Sequence, residues 1–133
     1  MGQQQLLLII LGVIIVGIAV AVGITMFQDN AVMASRDALT GDLVQLASKA
    51  QQYYRKPSSL GGGGNSFTGI TAMSVLVGSA VSNNDNGTYT ITGTTAAALI
   101  TFQGVGKTEI SSGVMPTYTV AVTPSTYTVS KLN

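Results

Sequence analysis

The sequence predicts an α+β chain in which one very long N-terminal helix packs its amphipathic C-terminal half on a small antiparallel sheet of about four strands. Three observations predict it. The stretch Leu6–Ile24, LLLIILGVIIVGIAVAVGI, contains no charged or strongly polar side chain. Downstream of it, apolar residues recur at helical spacing as far as Pro57. Beyond residue 66 the chain turns to short alternating segments rich in Thr, Tyr and Val.

The first half of the helix is apolar on every side, so along its whole circumference it needs lipid or other protein as cover. Nineteen residues at about 1.5 Å each make a span of roughly 28 Å, enough to cross the hydrocarbon of a bilayer. A secretory signal carries a basic n-region, a shorter apolar run and a small-residue cleavage site. Met1-Gly2-Gln3-Gln4-Gln5 has no Lys or Arg, and the apolar run continues into more helix-compatible sequence. The expectation is an anchor that is retained.

No proline interrupts Thr25–Asn30, so the helix is expected to continue. Leu39, Leu43, Leu46, Ala50 and Tyr53 follow i, i+4, i+7, i+11, i+14, a stripe for one helix face, with Asp37, Asp42, Lys49 and Arg55 off it. Gly41 is the weak point, costing about 1 kcal/mol relative to Ala. Pro57 ends the pattern, and Arg55 and Lys56 suit the negative end of the helix dipole. The expected helix runs from about residue 3 to 54, which is roughly 78 Å and several times the usual length. The expected divisions are 1–28 for the apolar half, 29–56 for the amphipathic half, 57–66 for a glycine-rich loop and 67–133 for a sheet head.

Four consecutive glycines, Gly61–Gly64, mark a loop or flexible turn. A phosphate cradle would want a preceding strand, a following helix and a terminal Lys, and none is present. Thr71–Val81 reads either as a short helix capped by Thr71 or as a buried strand. Expected strands are Thr88–Thr92, with Tyr89 and Ile91 on one face, then Ala97–Gln103, Thr117–Val122 and Thr126–Ser130. Alternation with short turns is the signature of an antiparallel sheet buried on one face, and the helix stripe is the available cover.

Composition narrows the chemistry. The chain has no Cys, His or Trp. Zinc therefore lacks its usual ligands, and acid–base catalysis would fall to five scattered carboxylates. No nucleophile–base–orienter set can be assembled, so no enzyme, cofactor or metal is expected. The net charge of +1 points to no nucleic-acid partner. Asn83–Thr88 (NNDNGT) resembles part of an oxygen-ligand calcium loop, but it holds one carboxylate. A tight Asn-Gly turn entering the Tyr89 strand explains it better. Asn86-Gly87-Thr88 is also a formal N-glycosylation sequon.

A short polar start, an unbroken apolar half-helix, an amphipathic continuation, a loop and a small antiparallel sheet together resemble a type IV pilin. The resemblance covers the whole architecture, with specific pattern only in the first fifty or so residues. It implies a mature chain that begins at Met1 after removal of a basic leader, with docking between Met1 and the position that Gln5 holds. In the family that position is usually glutamate, and a proline usually interrupts the apolar run. Here Gln5 supplies no anion, and Gly17 and Gly23 are the nearby weak points. These departures leave open a pseudopilin, an archaeal-type pilin or a flagellin-like subunit.

The expected function is that of a major structural subunit. It would wait in the membrane, then polymerise with identical copies into an extracellular filament on the cell surface. Leu6, Gly12, Gly17 and Gly23 would pack in the filament core, where small residues let backbones approach closely, and the helix would bend, stretch or unwind between Gly17 and Gly23. Residues 29–42 carry a net −2, and Lys49, Arg55 and Lys56 carry +3. Asp29, Asp37 and Asp42 of one staggered copy could thus face Lys49, Arg55 and Lys56 of another. The alternative is a membrane-tethered module that does not form the bulk of a fibre.

Overall fold

The computed structural model describes residues 2–77, 82–93 and 95–133. A single helix, α1, runs Gly2–Arg55. After it come a 3-10 turn at Ser58–Leu60, a short helix α2 at Met73–Val77, and strands β1 (Gly87–Ile91), β2 (Ile100–Gly106), β3 (Thr117–Val122) and β4 (Tyr127–Lys131). The strands form one antiparallel sheet in the order β1-β2-β3-β4. The predicted α+β architecture is the observed one.

By its contacts the chain divides into two units, Met1–Met33 and Ala34–Asn133. The first is a helix of almost wholly exposed side chains. It is long and apolar enough to span a membrane. Helical structure is unbroken through Gly17 and Gly23, so no unwinding occurs there in the single chain.

In the second unit, Leu39, Leu43, Leu46, Ala47 and Ala50 of α1 are buried. They meet Phe67, Ile70 and Met73 from the connection and Tyr89, Ile100, Phe102, Val120 and Val122 from the sheet. Burying one Leu, Ile or Phe side chain contributes about 1.5–3 kcal/mol, so this one-sided stripe is what holds helix to sheet. Register brings Tyr89 opposite Gly104, and Phe102 opposite Val120. The alternate residues, Thr90, Gln103, Thr119 and Ser130 among them, fall on the other face, half-buried or exposed.

Two boundaries differ from expectation. β2 begins at Ile100 because Ala96 and Leu99 pair with each other in a turn. It then runs on through Gly104 and Gly106, where close neighbours leave little room for a side chain: Leu39 and Tyr89 at Gly104, and Pro116, 2.6 Å from where a Cβ would sit, at Gly106. A Cβ on Gly104 would lie 3.1 Å from Leu39 Cδ1 and 3.1 Å from Tyr89 Cε1. One on Gly87 would lie 2.8 Å from Leu39 Cδ1. Leu39 sits in this glycine-lined slot, fully buried. Of the two readings left open for Thr71–Val81, the helix is the one observed, over Met73–Val77, and residues 78–81 lie outside the described residues.

The glycine loop is not a free linker. Gly63 N–H donates to Tyr53 O at 2.8 Å, Gly64 N–H to Lys56 O at 3.0 Å and Asn65 N–H to Tyr54 O at 2.8 Å. These bonds satisfy carbonyls that the end of α1 would otherwise leave unpaired. The Tyr54 ring meets Phe67 with centroids 4.8 Å apart.

Candidate functional site

Two features stand out, and each belongs to one unit. The first is the apolar segment. Every large aliphatic residue from Leu6 to Ile24 is about half exposed or more, from Val22 at 49% to Leu8 at 69%. Leu6 is exposed, Gly12 and Gly17 are exposed, and Gly23 is half-exposed. A Cβ built on Gly12, Gly17 or Gly23 would meet nothing within 4 Å. These glycines therefore relieve no crowding within their own chain. Gln5 is helical and exposed, while Met1, its expected docking partner in a neighbour, lies outside the described residues.

The second feature is polar and joins α1 to the hairpin before β1. Asp42 Oδ2 accepts hydrogen bonds from Asn84 Nδ2 at 2.9 Å, Asn86 Nδ2 at 2.8 Å and the Tyr89 hydroxyl at 2.5 Å. Position 42 is three residues after Leu39 and four before Leu46, at the edge of the buried stripe. That places its carboxylate at the rim of the core. The hairpin in turn is shaped by Asn84, whose Oδ1 accepts from the backbone N–H groups of Asn86 and Gly87, each at 2.9 Å. Asn84 N–H closes the turn on Gly87 O at 2.9 Å. The expected tight Asn-Gly turn into β1 is present, but neither Asn86 nor Gly87 has positive φ. A side-chain-closed Asx turn takes the place of the type I′ geometry that Asn-Gly usually supports.

Electrostatics follow from this geometry. Burial raises the Asp42 carboxyl, but the hydrogen bonds from Tyr89, Asn86 and Asn84 outweigh it and hold the group below its ordinary 3.8. Burial, the bond to Asp42 and the neighbouring negative charge push the Tyr89 hydroxyl well above its ordinary 10.0. The arrangement is a latch, not a cation site. Asn84 and Asn86 both turn N–H donors toward the carboxylate, and Asn84 Oδ1 is occupied by backbone donors. Beside the latch is a cavity of about 90 Å³ lined by Asp42, Gln45, Leu46, Lys49, Val77, Asn84 and Tyr89. Such a volume holds a few waters at most.

Of the residues expected to pair between copies, Asp29, Asp37, Lys49, Arg55 and Lys56 are exposed, and Asp42 is half-buried with Oδ2 committed to its own chain. Sequence reasoning read Asn83–Thr88 as a turn entering the Tyr89 strand and Asp42 as a charge off the helix stripe, and did not connect the two. Its usable signal was an acidic residue flanking an apolar stripe together with an amide-rich turn. Among the described residues no three His, Cys, Asp or Glu side chains come together as metal ligands. Compared with protein-family models, curated proteins and solved structures, the chain matches none.

Proposed function

We propose that the chain is the structural subunit of an extracellular type IV pilus-like filament, held in the membrane by Leu6–Ile24 before assembly. The observation that carries this reading is the exposure of that whole apolar segment. At about 25 cal/mol per Å² of apolar surface, leaving it in water costs tens of kcal/mol, so the segment is always covered. A bilayer covers it in one state and copies of the same segment cover it in the other. The two environments are similarly apolar, so a subunit moves between them at little cost. In lipid, close packing of helices depends on small residues. Gly12, Gly17 and Gly23, which touch nothing in the single chain, are then available to neighbours.

The test is a comparison of the normal chain with a Gly17→Leu, Gly23→Leu double variant. Sheared cell-surface material from normal cells should contain filaments in which this chain is the main protein, seen by electron microscopy and mass spectrometry. The double variant should insert into membranes normally and yield few filaments. Each Gly→Leu change favours the helix by about 0.8 kcal/mol, so unfolding of the segment cannot explain such a loss. A chain that remains in the membrane fraction and never enters sheared fibres refutes the reading in favour of a tethered module.

A further inference from the structure

We propose that Asn86 is a site of spontaneous deamidation which the Asp42 latch and the Asn84 turn hold unreactive, so that opening the latch converts position 86 irreversibly to an acid.

An Asn followed by Gly is the least hindered setting for attack of the next backbone nitrogen on the side-chain amide. In that reaction Gly87 N loses its proton and attacks Asn86 Cγ. A bond forms between them, the Cγ–Nδ2 bond breaks, and ammonia leaves carrying the proton. Water then opens the succinimide at either carbonyl, leaving aspartate or isoaspartate at position 86. Water is the one co-reactant, and no oxidant is needed.

Both reacting groups are engaged in this fold. The nucleophile, Gly87 N–H, donates to Asn84 Oδ1 at 2.9 Å. The leaving group, Asn86 Nδ2, donates to Asp42 Oδ2 at 2.8 Å. Gly87 is also locked as the first residue of β1, paired with Gly106 and buried. Attack requires Gly87 N to give up its acceptor and Asn86 to swing toward it, which the paired strand resists. Reaction therefore proceeds from a locally opened hairpin, at a rate set by the open fraction.

The product cannot close the latch again. A carboxylate at position 86 would face the Asp42 carboxylate where a hydrogen bond now lies, and like charges at that distance repel. Each opening that leads to reaction thus removes one of the three donors to Asp42 for good. This inference does not depend on assembly into filaments.

The test follows deamidation of the peptide containing Asn86 by tandem mass spectrometry, using the full chain in detergent micelles at mildly alkaline pH. Four samples are incubated: the native chain, the same chain in concentrated guanidinium, Asp42→Ala, and Val120→Ala. The last weakens the buried core but leaves the latch intact. The native chain should react at least about tenfold more slowly than the denatured one, a protection equal to an opening cost of about 1.4 kcal/mol. Asp42→Ala, which leaves Gly87 held by Asn84 and by its strand, should react severalfold faster than the native chain though more slowly than the denatured one, and Val120→Ala should stay near the native rate. The proposal is overturned if native and denatured chains react alike, if Asp42→Ala is as slow as native, or if Val120→Ala reacts as fast as Asp42→Ala.

Discussion

Removing the Asp42 carboxylate tests how much of the head's stability rests on one polar contact. In Asp42→Ala three donors lose their acceptor at once. Tyr89 is only 3% exposed, so its hydroxyl loses its partner with little access to water, at about 2 kcal/mol. Asn84 and Asn86 are half-buried and can turn toward solvent, losing about 0.5 kcal/mol each. Alanine returns about 0.6 kcal/mol through its better helix propensity. The net loss is about 2 kcal/mol, a sizeable share of the 5–15 kcal/mol typical of a domain. For a unit of this size that is a fall of about 10 °C in melting temperature. Thermal unfolding of the full chain in micelles, followed by the near-UV signal of its tyrosines, reads this directly. Tyr89→Phe should cost about 1–2 kcal/mol, and the double variant should cost clearly less than the sum. A melting point unchanged by Asp42→Ala, or strict additivity with Tyr89→Phe, would refute the latch.

The same contact fixes the sign of the pH dependence. The folded-state pKa of Asp42 lies below its ordinary 3.8, so the unfolded chain takes up this proton first as pH falls. Its contribution is fully present above about pH 4 and is lost as pH drops through the lowered value. Acid unfolding should therefore be steeper in the normal chain than in Asp42→Ala. At the alkaline end the Tyr89 hydroxyl is raised above 10.0. Its contribution holds below pH 10 and fades as pH rises through the raised value.

Two further predictions concern packing and register. Gly104→Ala places a methyl 3.1 Å from both Leu39 and Tyr89, so these buried side chains must give way by a few tenths of an ångström; urea unfolding should show a loss of about 1–3 kcal/mol, and no loss would mean the slot has slack. Reversing the exposed Lys49, Arg55 and Lys56 to Glu should leave unfolding curves within about 0.5 kcal/mol of normal while lowering filament yield, because exposed pairs act on register more than on strength; unchanged filaments would make these charges an ordinary solvated face.

What was legible in the sequence is what periodicity records. The stripe from Leu39 to Ala50 repeats along one element, so burial on one side leaves a trace in a single segment. The same holds for Tyr89 and Ile91 in β1 and for Val120 and Val122 in β3. Contacts between elements leave no such trace. Gly104 looks like a strand terminator until Leu39 is known to press on it from a helix more than sixty residues away in the chain. Gly61–Gly64 look like slack because sequence does not show that carbonyls at the end of α1 need donors. The four glycines let the backbone turn back close enough to Tyr53 to provide them. Asp42 is the sharpest case. Counted by charge, it joins Asp29 and Asp37 in an acidic band. Counted by geometry, it flanks the buried stripe, where an unpaired carboxylate would be costly. An acidic residue on that flank needs donors from its own fold, and NNDNG is the stretch of the head densest in side-chain amides. Position relative to the apolar stripe, more than charge, therefore separates the carboxylate committed to the head from Asp29 and Asp37, which stay exposed.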